Sequence, residues 1–125
     1  MIQITPYYAA VFGLFFVGLS FRVIRRRQNL KAAFGDARND HLKRAIRVHG
    51  NFSEYVPITL VLISFVEAQT GNAIVTHCLG LLFLLARILH AYGVSHVREN
   101  LRYRFLGTCL TGGVICSSSV FILLA

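Results

Sequence analysis

Arg44-Ala45-Ile46-Arg47-Val48-His49-Gly50-Asn51-Phe52-Ser53-Glu54-Tyr55-Val56-Pro57 leads without interruption into an uncharged run, Ile58 to Val66. Two arginines, a histidine, an amide and a carboxylate thus enter an apolar segment, where charge is expensive unless it is paired, solvated or put to use. The uncharged part, Tyr55 to Val66, covers twelve residues. That is too short to cross a hydrocarbon core about 30 Å thick, so a helix here has to carry its polar half into or against a membrane.

Working outward, the neighbouring segments supply the membrane. Residues 1 to 21 contain no charged side chain, and neither do the twenty-one residues from Phe105 to Ala125. Each run is long enough for one crossing. Between them, Ala73 to Ala86 is a shorter uncharged run that ends at Arg87, with His90 and Tyr92 just beyond. Gly35-Asp36-Ala37-Arg38-Asn39-Asp40 reads as a loop with a helix start near Asp40, and Gln69-Thr70-Gly71-Asn72 reads as a tight reversal. The expected fold is all-α: a single domain over residues 1–125, an integral membrane four-helix bundle with helices over about 4–27, 40–69, 72–96 and 101–125.

Composition agrees. The chain is 55% hydrophobic and 14% charged, with a mean hydropathy of +0.60, apolar beyond the range of ordinary soluble domains. Its net charge of +8 does not point to nucleic acid, because the cations cluster in two windows, residues 22–47 and 98–104, between apolar segments. Such clusters mark cytoplasmic connections, which puts both termini and the Gln69 turn on the non-cytoplasmic side. Cations follow the first apolar run instead of preceding it, unlike a cleavable signal peptide. Cys78, Cys109 and Cys116 lie in apolar segments without paired spacing and are expected to be small buried hydrophobes, so no disulfide or metal site follows from them.

At 100° per residue, Arg44, Arg47, Asn51, Glu54 and Ile58 fall within a sector of roughly 80°. Arg87 and His90, three residues apart, share a face of the third helix. Facing stripes of this kind enclose a cationic, hydrogen-bonding pocket suited to a small anionic ligand. Blander readings stand beside this one. Lys43 and Arg44 fit interfacial anchors that snorkel to headgroups, Arg47 with Glu54 fits a packing ion pair, and Glu67 fits an interfacial residue. His41, His77 and His96 fit surface positions, and Arg25-Arg26-Arg27 a topology signal in contact with lipid headgroups.

The pattern Arg47-x-His49-x-Asn51-x-Ser53-Glu54-Tyr55-x-Pro57, an apolar run, Ala86-Arg87 with His90, and Arg104 at the head of the last helix resembles the membrane-associated proteins in eicosanoid and glutathione metabolism (MAPEG), and within them the microsomal glutathione transferases. The resemblance spans the whole chain in helix order and length, and the Asn51 to Pro57 segment is its most specific part. It implies a homotrimer with glutathione, as co-substrate, held between neighbouring subunits near the cytoplasmic face. Carried over by position, Arg22, Arg47, His49, Asn51, Glu54, Tyr55, Arg87, His90 and Tyr92 are the implied glutathione contacts. Arg104 is the implied thiol-activating residue, with Arg102 as its rival.

Phe105 stands where the prostaglandin-isomerising members have a serine, which argues against that activity. The resulting expectation is a transferase, with peroxidase as a second activity, joining the glutathione thiolate to lipophilic small molecules that enter from membrane lipid. A bacterial inner membrane is the expected setting, with the site toward the cytoplasm. The alternatives are a non-catalytic lipid-binding or scaffold member of the family, and a small multidrug exporter. The exporter is disfavoured because residues 1 to 21 lack the carboxylate expected in its first helix.

Overall fold

Three asparagines decide where helices begin. The Asn39 side chain accepts a hydrogen bond from the Leu42 amide at 3.0 Å, Asn72 accepts from Ile74 and Val75, and Asn100 from Arg102. Each thereby satisfies amides that a helix start leaves without an intrahelical partner. In the computed structural model, which describes residues 1–125, the chain forms four helices: α1 (Thr5–Asn29), α2 (Asp40–Thr70), α3 (Ala73–Ser95) and α4 (Leu101–Leu124). The all-helical expectation is met, and the observed ends lie within two residues of the expected ones.

α1, α3 and α4 are long and apolar enough to cross a membrane, with mean hydropathies of 1.7, 1.8 and 1.8. α2 is the longest at 31 residues, about 46 Å at 1.5 Å per residue, but its polar first half keeps it outside that class. It nevertheless packs against all three of the others. Its buried face, including Val48, Phe52, Val56 and Ile63, meets Phe12 of α1, Phe83 of α3 and Val114 of α4 in the core. The Phe12 and Phe83 rings lie 4.9 Å apart, and Phe15 meets Phe52 edge-on at 4.8 Å.

α3 and α4 approach closely because glycines permit it. A methyl group on Gly107 would lie 2.7 Å from the Ala86 carbonyl oxygen and from the His90 amide, and one on Gly93 would lie 2.6 Å from the Arg104 amide. Small residues at such crossings let helix backbones meet without a side chain between them.

Only 26 of 125 residues are buried, and large apolar side chains such as Leu14, Phe21, Phe65, Ile74, Leu81 and Phe105 face outward. An apolar exterior of this extent suits lipid and not water. The three cysteines correct the expectation of burial: all are exposed on the outside of the bundle. In lipid an apolar position need not be an interior one, so apolar sequence context does not separate the two.

The bundle has two chemically different ends. At the end holding the α2–α3 turn, Gly71 closes α2 in the left-handed region (φ 58°), donating its amide to the Glu67 carbonyl. Glu67 is not an interfacial side chain: it is 3% exposed. Its carboxylate accepts from the amides of Gln3, Ile4 and Thr5 and from the Thr5 hydroxyl at 2.6 to 2.8 Å. α1 has no capping side chain of its own, so an acid 62 residues beyond Thr5 binds that amide and the two preceding ones and complements the helix dipole. Nearby, His77 is exposed as expected, with its Nδ1 3.0 Å from the Tyr8 hydroxyl. The opposite end gathers both basic connections.

Candidate functional site

The basic end is built from the last turns of α1 and α3, the first half of α2 and the head of α4. Deepest within it lies Arg87, 2% exposed on α3. Its Nη1 donates to Asn51 Oδ1 on α2 at 3.0 Å, and its guanidinium carbon sits 5.7 Å from the centre of the Tyr55 ring. Its Nε is buried without a partner. No carboxylate pairs with it: the ion pairs of the chain are Arg44 with Glu99, Arg47 with Glu54 and Arg104 with Glu99. A buried cation held only by a neutral amide and an aromatic face is incompletely compensated, and compensation is what burial of charge requires. His90, one turn along α3, is also buried and packs where Gly107 leaves room on α4.

Toward the open end a cavity of about 230 Å³ is lined by Asp40, Lys43, Arg44, Arg47, Val94, Glu99 and Arg104. Arg47 and Arg104, one from α2 and one from α4, therefore face a common space. Arg102 does not line it. Arg44 is not a snorkelling anchor. It donates to Glu99 Oε2 at 3.0 Å and to the Val94 carbonyl at 3.1 Å, because the α3–α4 connection folds back over the start of α2. Glu99 is a residue the sequence reading missed. Its carboxylate is held below the usual range, first by the hydrogen bond from Arg44 and then by that from Arg104, against an opposing effect of burial. A lone acid among the arginines of the second basic window was the available signal.

The remaining expected contacts are dispersed over the chain. Arg47 and Glu54 touch at 3.9 Å with both side chains more than half exposed. Tyr55 and Tyr92 are exposed, and Tyr92 meets Tyr103 edge-on at 5.3 Å. Arg22 reaches across from α1 to the Ser95 hydroxyl at 2.8 Å, leaving its Nε and Nη2 buried without partners. With Arg25, Arg26 and Asn29 it also lines a separate groove of about 430 Å³ along α1. His49 faces α1: its Nε2 lies 3.0 Å from the Ser20 hydroxyl and its ring stacks on Phe16 at 4.8 Å. The chain thus brings Asn51, Tyr55 and Arg87 together, and separately Arg47 with Arg104, while Arg22, His49 and Tyr92 line other surfaces. No group of histidine, cysteine or acidic side chains is arranged to hold a metal ion.

The chemistry available to this arrangement is anion binding. Five N–H donors per guanidinium in a fixed fork suit carboxylates; α2 and α4 present them on the cavity, while Arg87 of α3 lies buried and is not part of its lining.

Comparison with known proteins gives this geometry a context. The sequence model of the MAPEG family matches residues 5–124. The chain is also similar to the inner membrane protein YecN of Escherichia coli strain K12, with 37% identity over 94 residues, covering 75% of this chain and 72% of the relative. The YecN protein of Escherichia coli O6:H1 (strain CFT073) matches to the same extent.

Proposed function

Since this chain belongs to the MAPEG family, we propose that it is a membrane-bound glutathione transferase, with glutathione-dependent peroxidase activity toward organic hydroperoxides. The observation that carries the reading is Arg87, a buried arginine without an acidic partner in the chain. Glutathione supplies what such a site lacks: two carboxylates for arginines, an ammonium that Glu54 accepts, and a thiol. Arg87 with Asn51, and Arg47 nearer the mouth, grip the carboxylates. Tyr55 covers the buried guanidinium.

Arg104 holds the sulfur as thiolate, because a cation beside a thiol favours the anionic form. It is preferred to Arg102 because it shares a cavity with Arg47. The thiolate then attacks an electrophilic carbon and expels its leaving group as an anion. With a hydroperoxide, it attacks the terminal oxygen, the alkoxide leaves and takes up a proton, and a second glutathione resolves the sulfenic acid to disulfide and water. No protein nucleophile is needed.

Because the expected contacts are dispersed within one subunit, the reading includes a homotrimer. In it Arg22, His49 and Tyr92 complete the site with residues of a neighbour, His90 packs behind it against α4, and the lipid-facing cleft admits apolar substrates from the bilayer. The two relatives are named as inner membrane proteins. A bacterial inner membrane is accordingly the proposed setting, with the basic end facing the cytoplasm by the distribution of arginines.

The test is turnover of a chlorinated nitrobenzene and of an organic hydroperoxide by detergent-solubilised protein with glutathione. Activity lost in Arg104→Ala supports the reading, and absence of both turnover and glutathione binding contradicts it. Binding without turnover, unaltered by Arg104→Ala, marks a non-catalytic member of the family.

A further inference from the structure

The arginine proposed to face the thiol has one hydrogen-bond partner for its guanidinium. The Arg104 backbone is fixed: it packs so closely on Gly93 that a methyl group there would lie 2.6 Å from its amide. Its long side chain is the free part, 47% exposed, and only its Nη1 is bonded, to Glu99 Oε1 at 3.1 Å. Glu99 is itself braced. Its second oxygen accepts from Arg44 at 3.0 Å, its side chain is 13% exposed, and Arg44 is tied to the last turn of α3 through the Val94 carbonyl. The carboxylate therefore spends one oxygen on an arginine of α2 and the other on the arginine of α4. Four of the five N–H groups of Arg104 have no partner in the chain, and the residue lines the cavity shared with Arg47.

We infer that Glu99 is a positioning residue, which fixes the direction of the Arg104 guanidinium toward the cavity and locks the head of α4 to α2 through Arg44. The inference rests on the transferase reading, since it concerns the residue assigned there to the sulfur. A negative charge beside an activating cation has two opposed effects: it weakens the field of that cation, and it holds the cation in place. The single bond, the exposed side chain and the braced carboxylate make holding the dominant one. An arginine free to turn into water loses most of its effect on a nearby anion, because charge-assisted hydrogen bonds depend on short, directed contact.

The experiment reads the bound thiol directly. Ultraviolet absorbance of the thiolate is followed against pH with saturating glutathione, alongside steady-state turnover of a chlorinated nitrobenzene, for wild type, Glu99→Gln, Glu99→Ala and Glu99→Asp. Glu99→Gln and Glu99→Ala are expected to raise the midpoint of thiolate formation by about one unit, tenfold in the equilibrium. They should also lower kcat about tenfold while KM for glutathione moves less than about threefold. Glu99→Asp retains the charge and should restore kcat to within about threefold of wild type.

Arg44→Ala, which loosens Glu99 from the far side, should shift the midpoint upward by a smaller amount and serves where a Glu99 variant fails to fold. A midpoint that falls shows that Glu99 only weakens the Arg104 field, and overturns the inference. So does an unchanged midpoint, an effect confined to KM, or a Glu99→Asp protein no better than Glu99→Ala. Wild type without any thiolate signal contradicts the transferase reading itself, and the inference with it. A wild-type signal matched by every variant overturns the inference alone.

Discussion

The two ends of the bundle each contain a carboxylate enclosed by donors, and the comparison separates charge that is matched within the chain from charge that is not. At the α2–α3 end Glu67 accepts four hydrogen bonds from Gln3, Ile4 and Thr5 where the chain enters α1, and its charge is matched by the amides of a helix start. At the other end Glu99 is shared by Arg44 and Arg104, while the buried Arg87 has no acid within the chain. A balanced end holds a fold together. An end with buried positive charge left unmatched within the chain is, on the proposed reading, completed by an anionic ligand, since burying a cation unmatched is costly.

The contrast breaks most directly at Arg87. Arg87→Met should weaken glutathione binding about 100-fold, in line with losing a buried charge contact, while the apparent unfolding temperature of the ligand-free protein stays constant or rises. Titration calorimetry and thermal unfolding in detergent read the two halves, and a large loss of stability would mean that Arg87 serves packing instead. Glu67→Gln should do the reverse. Losing a charged acceptor of several hydrogen bonds costs about 2 to 3 kcal/mol, which lowers the unfolding temperature by roughly 5–10 °C, with glutathione affinity within twofold of wild type.

Acidification sharpens the comparison at the other end. The carboxyl of Glu99 is lowered in the folded protein. Its contribution is therefore fully present above the ordinary glutamate value of about 4.3, and is lost as pH falls through the lowered, folded value. Wild type should lose unfolding temperature below about pH 4 relative to Glu99→Gln, and the two curves should converge at the acid end. The smallest effect belongs to Glu54. Its 3.9 Å contact with Arg47 is exposed on both sides, so Glu54→Gln should change stability by less than about 0.5 kcal/mol and register only in glutathione affinity.

The sequence carried the fold because membrane crossing is a local property. Uncharged runs, basic windows and the punctuation at Asp40 and Gly71-Asn72 are read residue by residue, without knowing what packs where. Part of the site was legible for the same reason: Asn51 and Arg87, singled out as polar intrusions on two helices, meet at 3.0 Å. Most of the misreadings concern partners distant in the chain. Glu67 looks interfacial until the start of α1 is placed beside it, and Arg44 looks like a lipid anchor until the 96–100 connection folds over it. Glu99 had no helical stripe to belong to and was missed. The cysteines failed differently, since lipid accepts apolar side chains as readily as a core does, and periodicity in an apolar segment then stops reporting burial.

The most direct measurement of the central claim is a calorimetric titration of wild-type protein in detergent with glutathione and, in parallel, with glutathione diethyl ester, which keeps the thiol and masks both carboxylates. If surplus buried positive charge at the basic end is the binding device, glutathione binds, the diester does not, and Arg87→Met abolishes the difference. Equal binding of acid and diester, or binding of neither, would contradict the account.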